Sequence, residues 1–280
     1  MREIDVEIIK NQVKELFIAM NYEISPDIKA AITCAIKCET SLLAREVLGD
    51  LLKNAGMAYA YKIPMCQDTG MAVVFLEVGQ EVSFAGGFIG DAINQGVSEA
   101  YEEGYMRKSV VSNPLLRVNT KDNTPAIIHY ELVPGDRVKL ICTAKGFGSE
   151  NMSRLKMLNP SEGTAGVVDF VVETVRLAGS NPCPPMVIGV GIGGTMEKAA
   201  IMAKKALTRD VGQNSEDQIS SDLEKLILDK INLLDIGPQG FGGHTTAFSV
   251  NINMFPTHIA GLPVAVNINC HASRHREVTL

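Results

Sequence analysis

The chain of 280 residues contains no tryptophan, and aromatic residues make up only 5% of it, so aromatic stacking platforms are not a theme of this molecule. Basic charge is also short: 26 Lys and Arg stand against 32 Asp and Glu, for a formal net charge of -6. With a pI near 5.5, the chain offers no positive surface for a polynucleotide, and no nucleic-acid partner is expected. No apolar run approaches the roughly 18 to 20 residues needed to span a bilayer. Met1-Arg2-Glu3-Ile4-Asp5 opens a charged amphipathic segment with none of the apolar stretch of a signal peptide. No membrane association is expected, and the expected location is cytoplasmic. Six cysteines in such a chain read as reduced thiols or metal ligands rather than a disulfide framework.

What is present is ample apolar content, 46% of residues, enough to bury a sizeable core. The first sixty residues read as helices. Val6, Ile9, Val13, Leu16, Phe17 and Met20 follow the spacing of one buried face, and Ser25-Pro26 supplies a cap and first-turn proline for a second helix to about Cys38. A third runs from near Thr40 to about Met57. Met71 to Val78 predicts a buried strand, and Gly87 to Gly104 a glycine-punctuated helix. Ala126 to Val133 and Arg137 to Thr143 alternate like paired strands around Pro134-Gly135-Asp136. Further helices are expected over 166–178, 196–207 and 216–234, and strands over 186–190, 245–253 and 262–269. No repeat or linker interrupts the chain. The expectation is an α/β fold with a mixed, partly antiparallel sheet flanked by helices, residues 1–280 forming a single domain with 1–60 as a helical N-terminal region packed on it.

The densest polar chemistry is Pro64-Met65-Cys66-Gln67-Asp68-Thr69-Gly70, at a helix-to-strand junction. Two further cysteines occupy comparable settings, in Asn181-Pro182-Cys183-Pro184-Pro185 and Asn269-Cys270-His271-Ala272-Ser273-Arg274-His275. Their separations of 117 (183 − 66) and 87 (270 − 183) residues are far from zinc-finger spacing. Context argues for ligation instead: each stands beside Pro, Gly, Asn or Asp at the end of an element, whereas Cys34, Cys38 and Cys142 lie inside apolar, periodic segments and read as core. A metal pair on Cys34 and Cys38, four apart on one helix face with no third ligand nearby, is the alternative for those two. Three thiols holding one iron–sulfur cluster would leave an iron open, a Lewis acid suited to adding or removing water.

Gly189-Val190-Gly191-Ile192-Gly193-Gly194 matches the G-x-G-x-x-G dinucleotide pattern, follows a strand, precedes a helix, and has Asp210 at about the expected distance. Against that reading, the strand is introduced by a cysteine between prolines and Asp210 falls in a polar stretch. A glycine-rich turn approaching a cluster or a carboxylate accounts for the same residues. Arg107 suits either bidentate pairing to a carboxylate or a solvated surface. His258 suits either a structural or a functional role. His271, Arg274, His275 and Arg276 form a basic tail, anion-binding or solvated, and Lys145 to Met152 resembles a turn whose backbone N–H groups hold a carboxylate.

Several stretches in combination resemble the N-terminal or alpha part of class I, iron–sulfur-dependent fumarate hydratases. They are Cys66-Gln67-Asp68-Thr69-Gly70, Arg107-Lys108-Ser109, Asn119 with 122–126, 145–153, Cys183-Pro184-Pro185 with the glycines to Thr195, Gly237-Pro238-Gln239-Gly240, Pro256-Thr257-His258 and 267–275. The resemblance covers nearly all of the chain from residue 60 onward. The L-tartrate dehydratase alpha subunit is a close relative, but 148–153 and 269–275 look more like the fumarase. The resemblance implies a 4Fe-4S cluster on Cys66, Cys183 and Cys270 whose fourth iron binds L-malate. It implies a substrate site lined by Gln67, Asp68, Arg107, Gly148 and His258, with Asp68 the proton donor to the departing hydroxyl. The catalytic base is not identified on this chain. A separate beta subunit is therefore expected, with an oligomer of alpha/beta pairs and a nearly inactive isolated chain. The function implied is interconversion of L-malate with fumarate and water; the alternative is L-tartrate dehydration, and the alternative of a different class is an NAD-binding oxidoreductase domain using the Gly189–Gly194 turn.

Overall fold

A computed structural model describes residues 1–280. In chain order its elements are β1 (Arg2–Asp5), α1 (Val6–Tyr22), α2 (Pro26–Cys38), α3 (Leu42–Tyr61), β2 (Met71–Gly79), β3 (Val82–Ala85) and α4 (Ile89–Glu103). They continue with β4 (Ile127–Val133), β5 (Val138–Lys145), the short α5 (Phe147–Glu150), β6 (Arg154–Leu158), α6 (Gly163–Ala178) and β7 (Met186–Gly193). The chain ends with α7 (Met196–Ala206), α8 (Gln218–Asn232), β8 (Ala247–Phe255), β9 (Leu262–Asn269) and β10 (His275–Thr279). The fold is mixed α/β, with helices beside the sheets, as the sequence predicts. No helix is long and apolar enough to cross a membrane.

The chain divides into two compact units: Met1–Ile24, Asn54–Phe147 and Arg274–Leu280 make the first, Ser25–Lys53 and Gly148–Ser273 the second. In the first, a four-stranded sheet has the order β10-β5-β2-β4, and β1 pairs with β3. Asp5 caps α1 by accepting from Glu7 N at 2.8 Å, and Ile9, Val13, Phe17 and Met20 are all buried in one core with Ile93, Val97 and Tyr101 of α4. Burial of each such side chain contributes about 1.5–3 kcal/mol. The hairpin expected between residues 126–133 and 137–143 does not form, because β2 lies between β4 and β5, parallel to the first and antiparallel to the second. Ala72 to Leu76 are buried on both faces of β2, as in the interior of a sheet, and its buried backbone N–H and C=O groups need partners on both edges. Most residues of β4 are exposed or half-buried, and it takes the edge. The tail does not hang in solvent: β10 pairs antiparallel with β5, and Arg274 is buried, donating to Asn21 Oδ1 at 2.9 Å.

The second unit carries a four-stranded sheet in the order β6-β9-β7-β8, with β7 parallel to β8 and antiparallel to β9. All eight residues of β7 are buried. Gly189 and Gly191 do not form a phosphate-binding turn. They lie inside the strand, two apart and so on one face, where α7 crosses. A Cβ on Gly189 would stand 2.1 Å from Ala203 O, and one on Gly191 2.0 Å from Ala199 O. Gly189 and Gly191 therefore serve direct contact between strand and helix, while Gly193 and Gly194, at φ +90° and +68°, turn the chain toward α7. Cys34 and Cys38 also depart from expectation. The buried face of α2 is Ile28, Ile32 and Ala35, and a helical period of 3.6 puts residues two and six positions past Ile32 away from it, so both thiols are exposed.

Glu39, following α2, is buried and ties the helix end to a distant loop. Its Oε1 accepts from Thr40 N and Ser41 N at 2.9 and 3.2 Å, and its Oε2 from Thr245 N at 3.2 Å. Burial works against the ionised form, but the backbone donors of Ser41, Thr245, Thr40 and His244 outweigh it and hold the carboxyl below its usual range. A depressed folded pKa means that the stabilisation is complete above the ordinary carboxylate range and is lost as pH falls through the folded value. Glu39→Gln should therefore destabilise the protein at neutral pH by about 1–3 kcal/mol. In melting curves its deficit against the parent should close on acidification, and a pH-independent deficit would contradict this account. Gly191→Ala should lower Tm at every pH by overpacking, at a cost of about 1–3 kcal/mol; an unchanged Tm would show that α7 can move away freely.

Candidate active site

The first unit presents the Cys66 loop on a corner whose backbone is held from the core. Tyr101 of α4 places its hydroxyl 2.9 Å from Thr69 O and 2.8 Å from Gly70 O and donates to them, and Asn123 Nδ2 donates to Gly70 O at 3.2 Å. Burial pushes the Tyr101 hydroxyl well above its ordinary pKa, so it remains a donor. Gly70 has φ +82° and runs against β5, where a Cβ would sit 2.8 Å from the backbone of Ala144 and Lys145. Thr69 Oγ1 accepts from Arg107 N at 3.0 Å and lies 3.2 Å from Arg107 O, which joins the two predicted site loops.

The result is a cavity of about 340 Å³ lined by Cys66, Gln67, Thr69, Tyr105, Met106 and Arg107, with Pro64 at its edge. Cys66 is half-buried, and Gln67 and Arg107 are exposed; Cys66 Sγ lies 3.5 Å from Gln67 Oε1. Asp68 is half-buried beside them, accepting from Gly70 N at 3.0 Å and from Phe147 N at 2.8 Å. Those two bonds fix the carboxylate and leave lone pairs on both oxygens. Lys145, which opens the stretch read as a turn whose backbone N–H groups hold a carboxylate, is buried, and its Nζ donates to Gly146 O at 3.3 Å.

The second unit brings together Gly148, the Cys183 turn and the Cys270 turn. Cys183 is exposed and has φ +54°, before the cis Pro184–Pro185 bond. Its carbonyl accepts from His271 N at 3.3 Å and lies 3.0 Å from His271 Nδ1, so the residue after Cys270 grips the residue bearing the other thiol. Gln239 holds the same turn: its backbone N and its Nε2 both donate to Pro184 O, at 2.9 and 2.8 Å, and Nε2 stands 3.1 Å from His271 Nδ1. With a proton on Nδ1 the ring donates to the Cys183 carbonyl; with Nδ1 bare it accepts from Gln239. Gly148 is exposed, and a Cβ there would meet only Asn181 O at 3.5 Å. The turn after it is anchored by Glu150, which bonds Lys204 Nζ at 2.6 Å and Asn267 Nδ2 at 2.8 Å, while Asn267 also donates to Ser153 Oγ at 2.8 Å.

His258 is not among these groups. It is exposed, accepts from Ala260 N at 3.2 Å, and lines a separate apolar groove of about 680 Å³ with Ile219, Leu226, Met254 and Ile259. Cys142 has the properties of a packed thiol, fully buried and pushed up to about 12 by desolvation. Neither unit by itself gathers three Cys, His, Asp or Glu side chains into a ligand set. The donor chemistry nevertheless suits a cluster: Cys66, Cys183 and Cys270 are accessible or half-buried thiols on turns, unlike Cys142. Tyr101 was invisible to sequence reasoning as a site-holding residue, since its position on the apolar face of α4 marks it only as core. Gln239 lay within a recognised motif, but nothing local revealed that it reaches Pro184.

Comparison with known proteins places this geometry in a class. The sequence profile described as fumarate hydratase (Fumerase) matches residues 10–279. A Methanocaldococcus jannaschii protein, provisionally named L(+)-tartrate dehydratase subunit alpha, is 42% identical over 272 residues, covering 95% of each chain. The L(+)-tartrate dehydratase subunit alpha of Escherichia coli strain UTI89 is 33% identical over 246 residues, 86% of this chain and 80% of its own. The K12 counterpart is 32% identical over 246 residues with the same coverage. The class so defined is the hydro-lyases, enzymes that add or remove water. Within it, the chain belongs to the fumarate hydratase (Fumerase) family.

Gln239 should hold the Cys183 turn whether or not metal is present. In the metal-free chain, Gln239→Ala should raise the rate at which iodoacetamide labels Cys183 several-fold, read peptide by peptide in a mass spectrometer, while Cys142 stays unlabelled until the chain unfolds. Equal Cys183 labelling in variant and parent would remove Gln239 from this role.

Proposed function

We propose that this chain is the alpha-type chain of a two-chain, iron–sulfur-dependent hydro-lyase acting on a four-carbon 2-hydroxydicarboxylate, with L-tartrate favoured over L-malate. The observation that carries the reading is the Cys66 cavity, which puts a soft metal ligand, an amide and a guanidinium on one small space. The relatives' names favour tartrate, the reverse of the order in which the sequence motifs place the two substrates. The ligands proposed are Cys66, Cys183 and Cys270, and the group they hold is a 4Fe-4S cluster. When bound, such a cluster with one iron free of thiolate supplies a Lewis acid to a substrate carboxylate and hydroxyl.

The chain's own side chains carry the remaining roles. Arg107, exposed at the cavity, pairs with a substrate carboxylate in bidentate fashion. Gln67 hydrogen-bonds beside it. Asp68, its orientation set by Gly70 N and Phe147 N, delivers a proton to the departing hydroxyl. Gly148 offers backbone unobstructed by a side chain, and His258 completes the substrate set that the family resemblance implies. Loss of one hydroxyl as water, with a proton from the neighbouring carbon, gives fumarate from malate; the same loss from tartrate gives an enol that becomes oxaloacetate. The base that takes the carbon-bound proton is assigned to a beta subunit, which makes the isolated chain nearly inactive and the assembly one of alpha/beta pairs. The location proposed is the cytoplasm.

The test is anaerobic iron–sulfide reconstitution of the chain with and without its candidate beta subunit, followed by assays of oxaloacetate from L-tartrate and fumarate from L-malate. The expected result is a brown protein, turnover only for the pair, and faster turnover of tartrate; Cys66→Ser should lose the cluster absorbance. Preferred turnover of malate would reverse the substrate order while keeping the class. Failure of any cluster to form would overturn the three-thiol assignment.

A further inference from the structure

The exposed thiol pair of α2 has no part in the site above. Cys34 and Cys38 are four residues apart in one helix, share a face, and are both open to solvent. The neighbouring Cys34 thiol holds the Cys38 thiol above its ordinary range, and the Lys37 ammonium acts in the opposite direction. This is a chelating geometry of restricted kind. Cβ atoms at i and i+4 stand about 5–6 Å apart, whereas a disulfide needs about 3.5–4.5 Å, so the pair cannot close oxidatively while the helix persists. Two metal–thiolate bonds of about 2.3 Å laid end to end span about 4.6 Å, which the two side chains can bracket without moving the backbone.

The pair also selects among metals. No third Cys, His, Asp or Glu converges on it, which disfavours zinc, whose structural sites take four ligands. Thiolates prefer soft ions, and a filled-shell monovalent cation is satisfied by two of them. We propose that Cys34 and Cys38 form a surface site for one soft monovalent cation of the Cu(I) type. On binding, both thiols lose their protons to solvent, two metal–sulfur bonds form, and no electron is transferred. The site then carries one net negative charge, with the Lys37 ammonium on the same turn.

The experiment is an anaerobic titration of the full chain with Cu(I) against a coloured Cu(I) chelator, alongside Cys34→Ser/Cys38→Ser, Cys34→Ala/Cys38→Ala and the single Cys38→Ser variant. Copper taken up by the remaining thiols is common to all four proteins and cancels in the comparison. Each double variant should bind one equivalent fewer and lose the corresponding thiolate-to-copper absorbance. The single variant should release that equivalent at a chelator concentration at least tenfold lower than the parent needs. Because both side chains are exposed, Tm should stay at the parent value. Equal equivalents and equal competition curves across the four proteins would overturn the proposal, and so would loss of the equivalent only in variants whose Tm has also dropped.

Discussion

The Cys66 loop depends on how two backbone carbonyls are satisfied. The corner entering β2 is buried at Thr69 and Gly70, and a carbonyl left there without a partner would cost about 1–3 kcal/mol. Tyr101 and Asn123 supply the donors from the core side. Because Tyr101 is itself fully buried in the α1 and α4 core, the loop is fixed by the same packing that holds the first unit together. With the backbone bonded from within, the Cys66, Gln67 and Arg107 side chains line the cavity, and Thr69 carries the constraint on to the Arg107 backbone. A chemical site placed on an irregular turn can be rigid when the turn's polar atoms are accounted for in this way.

The second unit solves the same problem with side-chain amides. The Cys183 turn has a left-handed cysteine between prolines and few backbone donors of its own, since proline lacks an N–H. Gln239 and His271 provide donors to Pro184 O and Cys183 O, and the second of these comes from the residue next to Cys270. Glu150, Lys204, Asn267 and Ser153 perform a similar service for the turn after Gly148. Both units thus place accessible thiols at the ends of elements and hold the turns around them with polar side chains and backbone N–H groups from elsewhere in the same unit. Cys142, set inside β5, shows the opposite outcome: burial raises its pKa and leaves it inert.

What the sequence made legible was periodic or local. The spacing of Ile9, Val13, Phe17 and Met20 identified α1 and its buried face, and the continuous apolar run from Met71 identified β2. The polar density around Cys66, the odd settings of Cys183 and Cys270, and the family resemblance could also be read directly. Strand pairing could not, because the insertion of β2 between β4 and β5 depends on which run is apolar on both faces, a comparison among distant segments. The glycines of β7 carried a false local signal: close helix packing and phosphate binding both require the absence of a side chain, and only the position of α7 tells them apart. The thiols of α2 were misplaced by phase, as an apolar stretch suggests burial all round while only the face of Ile28, Ile32 and Ala35 is covered. Arg274, read as part of a basic tail that binds anions or is solvated, is instead drawn inside beside the pairing of β10 with β5.

The two substrates share everything this family must recognise for chemistry. L-malate and L-tartrate each present two carboxylates, a leaving hydroxyl and a neighbouring C–H, and differ by one further hydroxyl. Motifs that hold carboxylates and the leaving group are therefore common to both, which explains why motif likeness and relatives' names can point in different directions without disagreement about the class. Discrimination rests on a group that meets the extra hydroxyl, since a site built to hydrogen-bond a substrate hydroxyl rejects an analogue lacking it by about 10⁴–10⁵. Within the Cys66 cavity Thr69 is already engaged with the Arg107 backbone. That leaves the Gln67 amide and the Tyr105 hydroxyl as the other neutral polar side chains of the lining besides the Cys66 thiol.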